Sequence, residues 1–157
     1  MIKTIKLAVS IFVCLFAGFI GSAATTPSIP TWYAGLHKPL FNPPNWIFAP
    51  VWTTLYILMG ISAYLVWEGV AEKKEIRRAL LTFALQLVLN YSWSVIFFGW
   101  HSPFYAFIDI IVLWASILAT IICFYGISRP ASYLMIPYIL WVSFAAVLNF
   151  YIFLLNR

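Results

Sequence analysis

Five long apolar runs, each separated from the next by prolines or charges, limit what this chain can fold into. They fall at about 5–24, 46–67, 79–99, 104–127 and 133–155. Each reaches the roughly 20 mostly apolar residues that a helix needs to cross a bilayer. A β-barrel would show shorter segments of alternating hydrophobicity, and these runs are continuous. The expected fold class is all-α, an integral membrane bundle of five transmembrane helices in one domain spanning 1–157. Composition agrees: eight Trp, nine Tyr and fourteen Phe stand against nine Lys and Arg and four Asp and Glu. Charged residues make up 8%, whereas soluble domains carry about 25%. Intrinsic disorder is excluded because it requires low hydrophobicity.

The net charge of +5 does not point to nucleic acid, because the basic residues punctuate the apolar runs instead of forming a face. Lys3, Lys6, Lys73, Lys74, Arg77, Arg78 and Arg129 fall on one side of a five-span topology. Only Lys38 and Arg157 fall on the other. The positive-inside rule then puts the N-terminus in the cytoplasm and the C-terminus outside, and the expected setting is a bacterial cell membrane. The first run also has the layout of a signal peptide, with a basic start and the small-residue tail Gly21-Ser22-Ala23-Ala24. It is nevertheless long enough to cross, and the five-span reading uses it. Cys14 and Cys123 lie in separate apolar runs without CxxC spacing, so neither a disulfide nor a metal framework is expected.

Three connections are short, which makes consecutive helices antiparallel neighbours. The first, about 25–45, is long and holds Pro27, Pro30, Pro39, Pro43 and Pro44 together with Trp32, Tyr33 and Phe41. It fits two readings equally: a lid over a site, or a set of aromatic anchors at the headgroup level. Polar residues at membrane depth are informative because they are costly. Gln86, Asn90, Trp93 and Phe97 share one face of the third span, and Trp52, Tyr56, Met59, Gly60 and Ala63 share one face of the second. In the fifth span, Trp141, Phe144, Ala145 and Leu148 form a face, with Asn149 nearby. These groups converge on the outer half of the bundle, as a small-molecule pocket requires. Interhelical hydrogen bonding is the favoured reading for Gln86, Ser94 and Asn149. For Asp109, a structural partner (Lys38, Tyr105 or an indole) and a ligand role stand level.

Small residues Ala17, Gly18, Gly21 and Ser22 permit close helix contact, within the bundle or in a homodimer. Ordinary catalytic sets are missing. His37 and His101 have no HxxxH or HExxH partner, and no carboxylate pair, Ser-His-Asp set or phosphate loop occurs. No metal site and no cofactor are expected. A bundle without charged pathways or inverted repeats also makes a poor autonomous transporter.

The motifs resemble the translocator protein family, also called the tryptophan-rich sensory protein or peripheral-type benzodiazepine receptor family (TspO/MBR). The first loop carries Trp32-Tyr33, Leu36, Lys38-Pro39 and Pro43-Pro44, and the second span Pro50-Val51-Trp52-Thr53, Leu55-Tyr56, Met59-Gly60 and Leu65-Val66-Trp67. The third span carries Gln86-Leu87, Leu89-Asn90, Trp93 and Phe97-Phe98-Gly99. The fifth carries Pro137-Tyr138, Leu140-Trp141, Ser143-Phe144-Ala145 and Leu148-Asn149. The resemblance implies a five-helix bundle, often a homodimer, that binds porphyrins and hydrophobic ligands such as sterols under the first loop. The implied ligand-binding residues are Trp32, Phe48, Trp52, Tyr56, Asn90, Trp93, Tyr105, Trp141, Phe144, Ala145 and Leu148. Tyr105 stands where relatives often have Trp, and Phe41 where the family usually has Trp. The C-terminal sterol-type pattern is met loosely by Leu148, Tyr151 and Arg157, with Phe150 at its usual Tyr position, so sterol is not the favoured ligand.

Two functions follow from the resemblance. The first is a stress-linked receptor or sensor of protoporphyrin-like tetrapyrroles, whose macrocycle stacks on indoles while Asn90 and lid groups meet its carboxylates. The second is light- and oxygen-dependent porphyrin breakdown, with Trp52 and Trp141 as the reactive pair.

Overall fold

The computed structural model describes residues 2–157, so the first residue of the expected 1–157 domain lies outside them. Helix α1 runs Lys3–Ser28, α2 Phe48–Trp67, α3 Lys73–Ser94, α4 Pro103–Ile127, α5 Arg129–Leu134 and α6 Ile136–Leu155. Counting α5 and α6 as one broken rod, five helical segments are long and apolar enough to cross a membrane. Packing closes them into a ring in the order α1, α2, α5/α6, α4, α3, back to α1.

The helices extend beyond the apolar runs where water can solvate their ends. Helix α3 begins at Lys73, not near Ala79, because charged side chains are at home in an exposed first turn. Helix α1 continues four residues past Ala24 and takes Pro27 into its last turn. Ser28 then fastens that end by donating a buried 2.6 Å hydrogen bond to the Phe98 carbonyl. The fifth span is broken at Met135, just before Pro137, and its first piece is capped by Ser128, whose hydroxyl accepts from the Ala131 amide. Close approach of α1 and α2 rests on Gly60, where a Cβ would lie 2.5 Å from the Ile11 Cα.

The end of the bundle carrying most of the basic residues is densely filled. Met59, Val66, Ala79, Ile117, Phe124, Ala131 and Met135 have no exposed surface there. A smaller cluster at the other end joins Tyr33 of the loop to Phe97, Phe98, Ala106, Leu148 and Ile152. Between the two clusters lies a cavity.

Candidate functional site

The cavity holds about 230 Å³ and opens under the first loop. Its helical walls come from the C-terminal half of α1, the start of α2, the end of α3 with the turn that follows it, and α6 from Trp141 to Ile152, and Tyr33 and Asn45 of the loop close it. These stretches lie in the half of the bundle away from the basic cluster.

Local geometry explains why rings crowd this end. After Ser94 the third span widens into a π-turn over Val95–Gly99, with the Trp100 amide bonding back to the Val95 carbonyl at 2.8 Å. The widened turn buries both Phe97 and Phe98, an irregularity often found at functional sites. Trp93 stacks on Phe97 at 5.2 Å and meets Phe98 edge-on at 5.9 Å. Trp52 lies 5.7 Å from Tyr56 and 6.2 Å from Tyr138, and Phe48 lies 6.2 Å from Trp141.

The first loop covers this end. Tyr33 turns inward against Phe97 and Phe98, and its hydroxyl donates to Asn42 Oδ1 at 2.9 Å. Burial pushes its phenol above its ordinary value, partly offset by the Asn42 bond. The Asn156 side chain fastens the loop from outside, donating to the His37 carbonyl at 2.8 Å and accepting from its amide at 3.0 Å. His101, at φ 55°, stacks on Trp32 at 4.5 Å. Tyr33 of the loop is buried over the cavity, while Leu40 and Trp46 are exposed.

Polar groups in the walls are largely occupied by one another. Tyr56 donates to Asn90 Oδ1, and Asn90 Nδ2 donates to the Tyr138 hydroxyl at 3.1 Å. Trp93 Nε1 donates to Asn149 Oδ1 at 3.0 Å, and Asn149 Nδ2 donates to the Pro103 carbonyl at 2.8 Å. Asn149 therefore ties α3, α4 and α6 together, as an interhelical role requires. Gln86 rests its amide on Met59 Sδ at 3.8 Å and leaves Oε1 buried without a partner. Ser94 borders the cavity instead of bridging helices. Trp141 Nε1 is buried and has no partner among the described residues.

Of the sequence-derived set, Phe48, Trp52, Tyr56, Asn90, Trp93, Trp141, Ala145 and Leu148 line the cavity. Three do not. Tyr105 is 62% exposed and lies on the outer face of α4, because Ala106, Ile110 and Leu113 take the inward positions. Phe144 sits behind Trp141 at 5.4 Å and supports Phe41 of the loop. Trp32 packs on the far side of Phe97. Asp109 pairs with none of its expected partners: the Ser92 hydroxyl bonds to its Oδ1 at 2.7 Å, and Lys38 reaches the Leu36 carbonyl instead.

Sequence reasoning overlooked the α1 wall of Gly18, Gly21, Ser22 and Thr25. The small residues were the available signal. A Cβ on Gly18 would lie 2.4 Å from the Tyr56 ring, so their smallness makes room for the aromatic wall.

A helical bundle with five segments long and apolar enough to cross a membrane, and a ring-lined cavity beneath an ordered loop, defines a polytopic membrane protein. The chain belongs to the TspO/MBR family, whose family model matches residues 10–155. It is 47% identical over 152 residues to the tryptophan-rich protein TspO of Archaeoglobus fulgidus, covering 97% of each chain. It is 39% identical over 135 residues to the translocator protein of Homo sapiens, covering 84% of this chain and 79% of that one. To the tryptophan-rich sensory protein of Cereibacter sphaeroides it is 35% identical over 144 residues, covering 90% and 89%. It is an integral membrane protein of a sensory and translocator family.

Proposed function

We propose that this protein is a receptor or sensor that binds porphyrins of the protoporphyrin IX type, and other flat hydrophobic ligands, in the cavity under the first loop. The observation that carries the reading is the ring-lined cavity itself, with Phe48, Trp52, Trp93, Trp141, Phe97 and Phe98 in its walls. A planar apolar macrocycle gains from stacked and edge-on contacts with such rings, each worth about 0.5–1.5 kcal/mol beyond area burial. Asn90 spends most of its bonding capacity on Tyr56 and Tyr138. The porphyrin carboxylates are therefore assigned to Asn45 at the mouth and to Ser94. The volume falls below the roughly 300–1,000 Å³ usual for ligand pockets, so admitting a macrocycle requires the loop to lift.

Titration of the purified protein with protoporphyrin IX, read by Trp fluorescence, tests this. Saturable quenching is expected, weakened about two- to tenfold in Trp52→Phe and in Trp141→Phe, the fold-change equivalent of one lost stacking contact. Quenching that never saturates, or that both variants leave unchanged, rejects the reading.

The second function, light- and oxygen-dependent porphyrin breakdown, is favoured by one observation: Trp52 and Trp141 both border the space where the macrocycle would sit. Porphyrin absorbance under light should then decay faster with protein than without it, and more slowly in either Trp→Phe variant. Equal decay removes this function and leaves binding intact.

The proposal includes a cytoplasmic N-terminus in a bacterial cell membrane, which a C-terminal reporter active only in the cytoplasm would contradict. It also includes pairing of two copies. Gly18 and Gly21 face the interior, so the pair would use another face, and crosslinking in native membranes that yields monomers alone removes it.

A further inference from the structure

A second recess lies at the opposite end of the bundle, between the end of α2 and the start of α3. It holds about 420 Å³ and is lined by Trp67, Lys73, Ile76, Arg77, Leu80 and Leu81. Its composition differs from that of the cavity, with two cations set against an apolar wall. Lys73 and Arg77 are four residues apart, so they project from one side of α3 a single turn from each other. Neither has a carboxylate partner among the described residues. Among the described residues the one ion pair is Lys6 with Glu68. Glu75 lies two positions from both Lys73 and Arg77 and therefore faces away from them.

Below the two cations the same side of α3 stays apolar and uncovered. Leu81, Leu85 and Val88 follow at helical spacing and are exposed. From Arg77 to Val88 the helix rises roughly 16 Å. That is about half of the roughly 30 Å hydrocarbon core, the depth of a single leaflet. Trp67, already carrying the Lys6 ammonium 5.4 Å from its ring centroid, marks the headgroup level, where indoles settle.

We propose that this recess binds an acidic glycerophospholipid, its phosphate between Lys73 and Arg77 and one acyl chain along Leu81, Leu85 and Val88. An ammonium and a guanidinium fork together match a phosphate diester, the fork offering two parallel N–H donors. Unpaired cations gain from an anion that the membrane supplies at high local concentration. The apolar track distinguishes a lipid from a soluble phosphate, which would have no use for it.

The full chain in dodecylmaltoside micelles, supplied with phosphatidylglycerol or phosphatidylcholine, tests the proposal through the lipid retained in native mass spectrometry. Phosphatidylglycerol should be retained in preference. The double variant Lys73→Gln/Arg77→Gln should weaken that retention about 100-fold, since each charge-assisted bond to the phosphate contributes a factor of about ten. Lys74→Gln/Arg78→Gln removes the same charge from neighbouring residues outside the recess and should leave retention within about threefold of the parent, the residue of nonspecific attraction. All four side chains are exposed, and unchanged melting temperatures confirm that both variants fold. Equal losses in the two double variants would show diffuse charge instead of a site. Equal retention of the two lipids overturns the proposal, and so does displacement of phosphatidylglycerol by millimolar inorganic phosphate.

Discussion

The two ends of the bundle treat their polar groups in opposite ways. At the loop end, Tyr56, Asn90, Tyr138, Trp93 and Asn149 bond to one another. The cavity is therefore left to present mostly ring faces and a few free donors. At the other end the core between the helices is packed, the recess of Trp67, Lys73 and Arg77 lies at the bundle's margin, and among the described residues Lys6 with Glu68 is the one ion pair. The difference follows from the solvent available. Inside a membrane an unpaired polar group has no water to fall back on, whereas a lysine at a helix end remains hydrated. One end thus offers ring faces and the other offers charge.

The sharpest way to break this contrast is to remove the group on which the loop-end network turns. Asn90→Leu strands two buried tyrosine hydroxyls and should cost about 1–3 kcal/mol in thermal unfolding, together with a loss of porphyrin quenching. Lys73→Gln/Arg77→Gln, at the other end, should stay within about 0.5 kcal/mol of the parent. If the two variants melt alike, the ends do not differ in this way.

A smaller effect is expected from Gly18→Ala, whose new methyl group meets the Tyr56 ring. Overpacking of this kind costs about 1–3 kcal/mol, here at the lower end because a ring can tilt, and ligand affinity should fall with it. Unchanged stability and affinity would show that α1 does not hold the aromatic wall in place. Next comes Asn156→Ala, which removes both bonds to His37 at a cost of about 0.5–1.5 kcal/mol each. Hydrogen exchange of the His37 amide should accelerate while the helices keep their protection, and porphyrin should enter faster. Slower entry would mean that the loop does not gate the cavity.

The smallest effect belongs to the basic end. The hydrogen bond from Lys6 holds the Glu68 carboxyl below its ordinary value, with further help from the Lys6 and Lys3 charges. A depressed carboxyl stabilises the fold above its unfolded value near 4.5, and that contribution is lost as pH falls through the lowered folded value. The melting temperatures of the parent and of Lys6→Met should differ slightly at neutral pH and converge in acid. A difference that persists in strong acid would assign the effect to packing on Trp67 instead.

Much of the fold was legible because hydropathy and helical period are local properties. The five spans follow from run length. The inward faces of α2 and α3 follow from four-residue spacing, which correctly joined Tyr56, Met59 and Ala63, and Gln86 with Asn90. Spacing failed where direction depended on a neighbour. Tyr105 reads as inward by resemblance, yet Ala106 occupies the inward position of α4. Asp109 reads as a partner of loop or aromatic groups, yet Ser92 of the adjacent helix reaches it first.

By itself the sequence determined that this chain enters a membrane, how many times it can cross, which end carries the charge, and which aromatic residues occupy the same depth. Those properties depend on each residue's own transfer from water and on a 3.6-residue repeat. Tertiary structure alone decided that the small residues of α1 form the fourth wall of the cavity. It also decided that the π-turn buries Phe97 and Phe98 together, and that Asn90 spends its amide on two tyrosines. Each of these depends on which helix lies opposite, a relation between distant segments that no local pattern encodes.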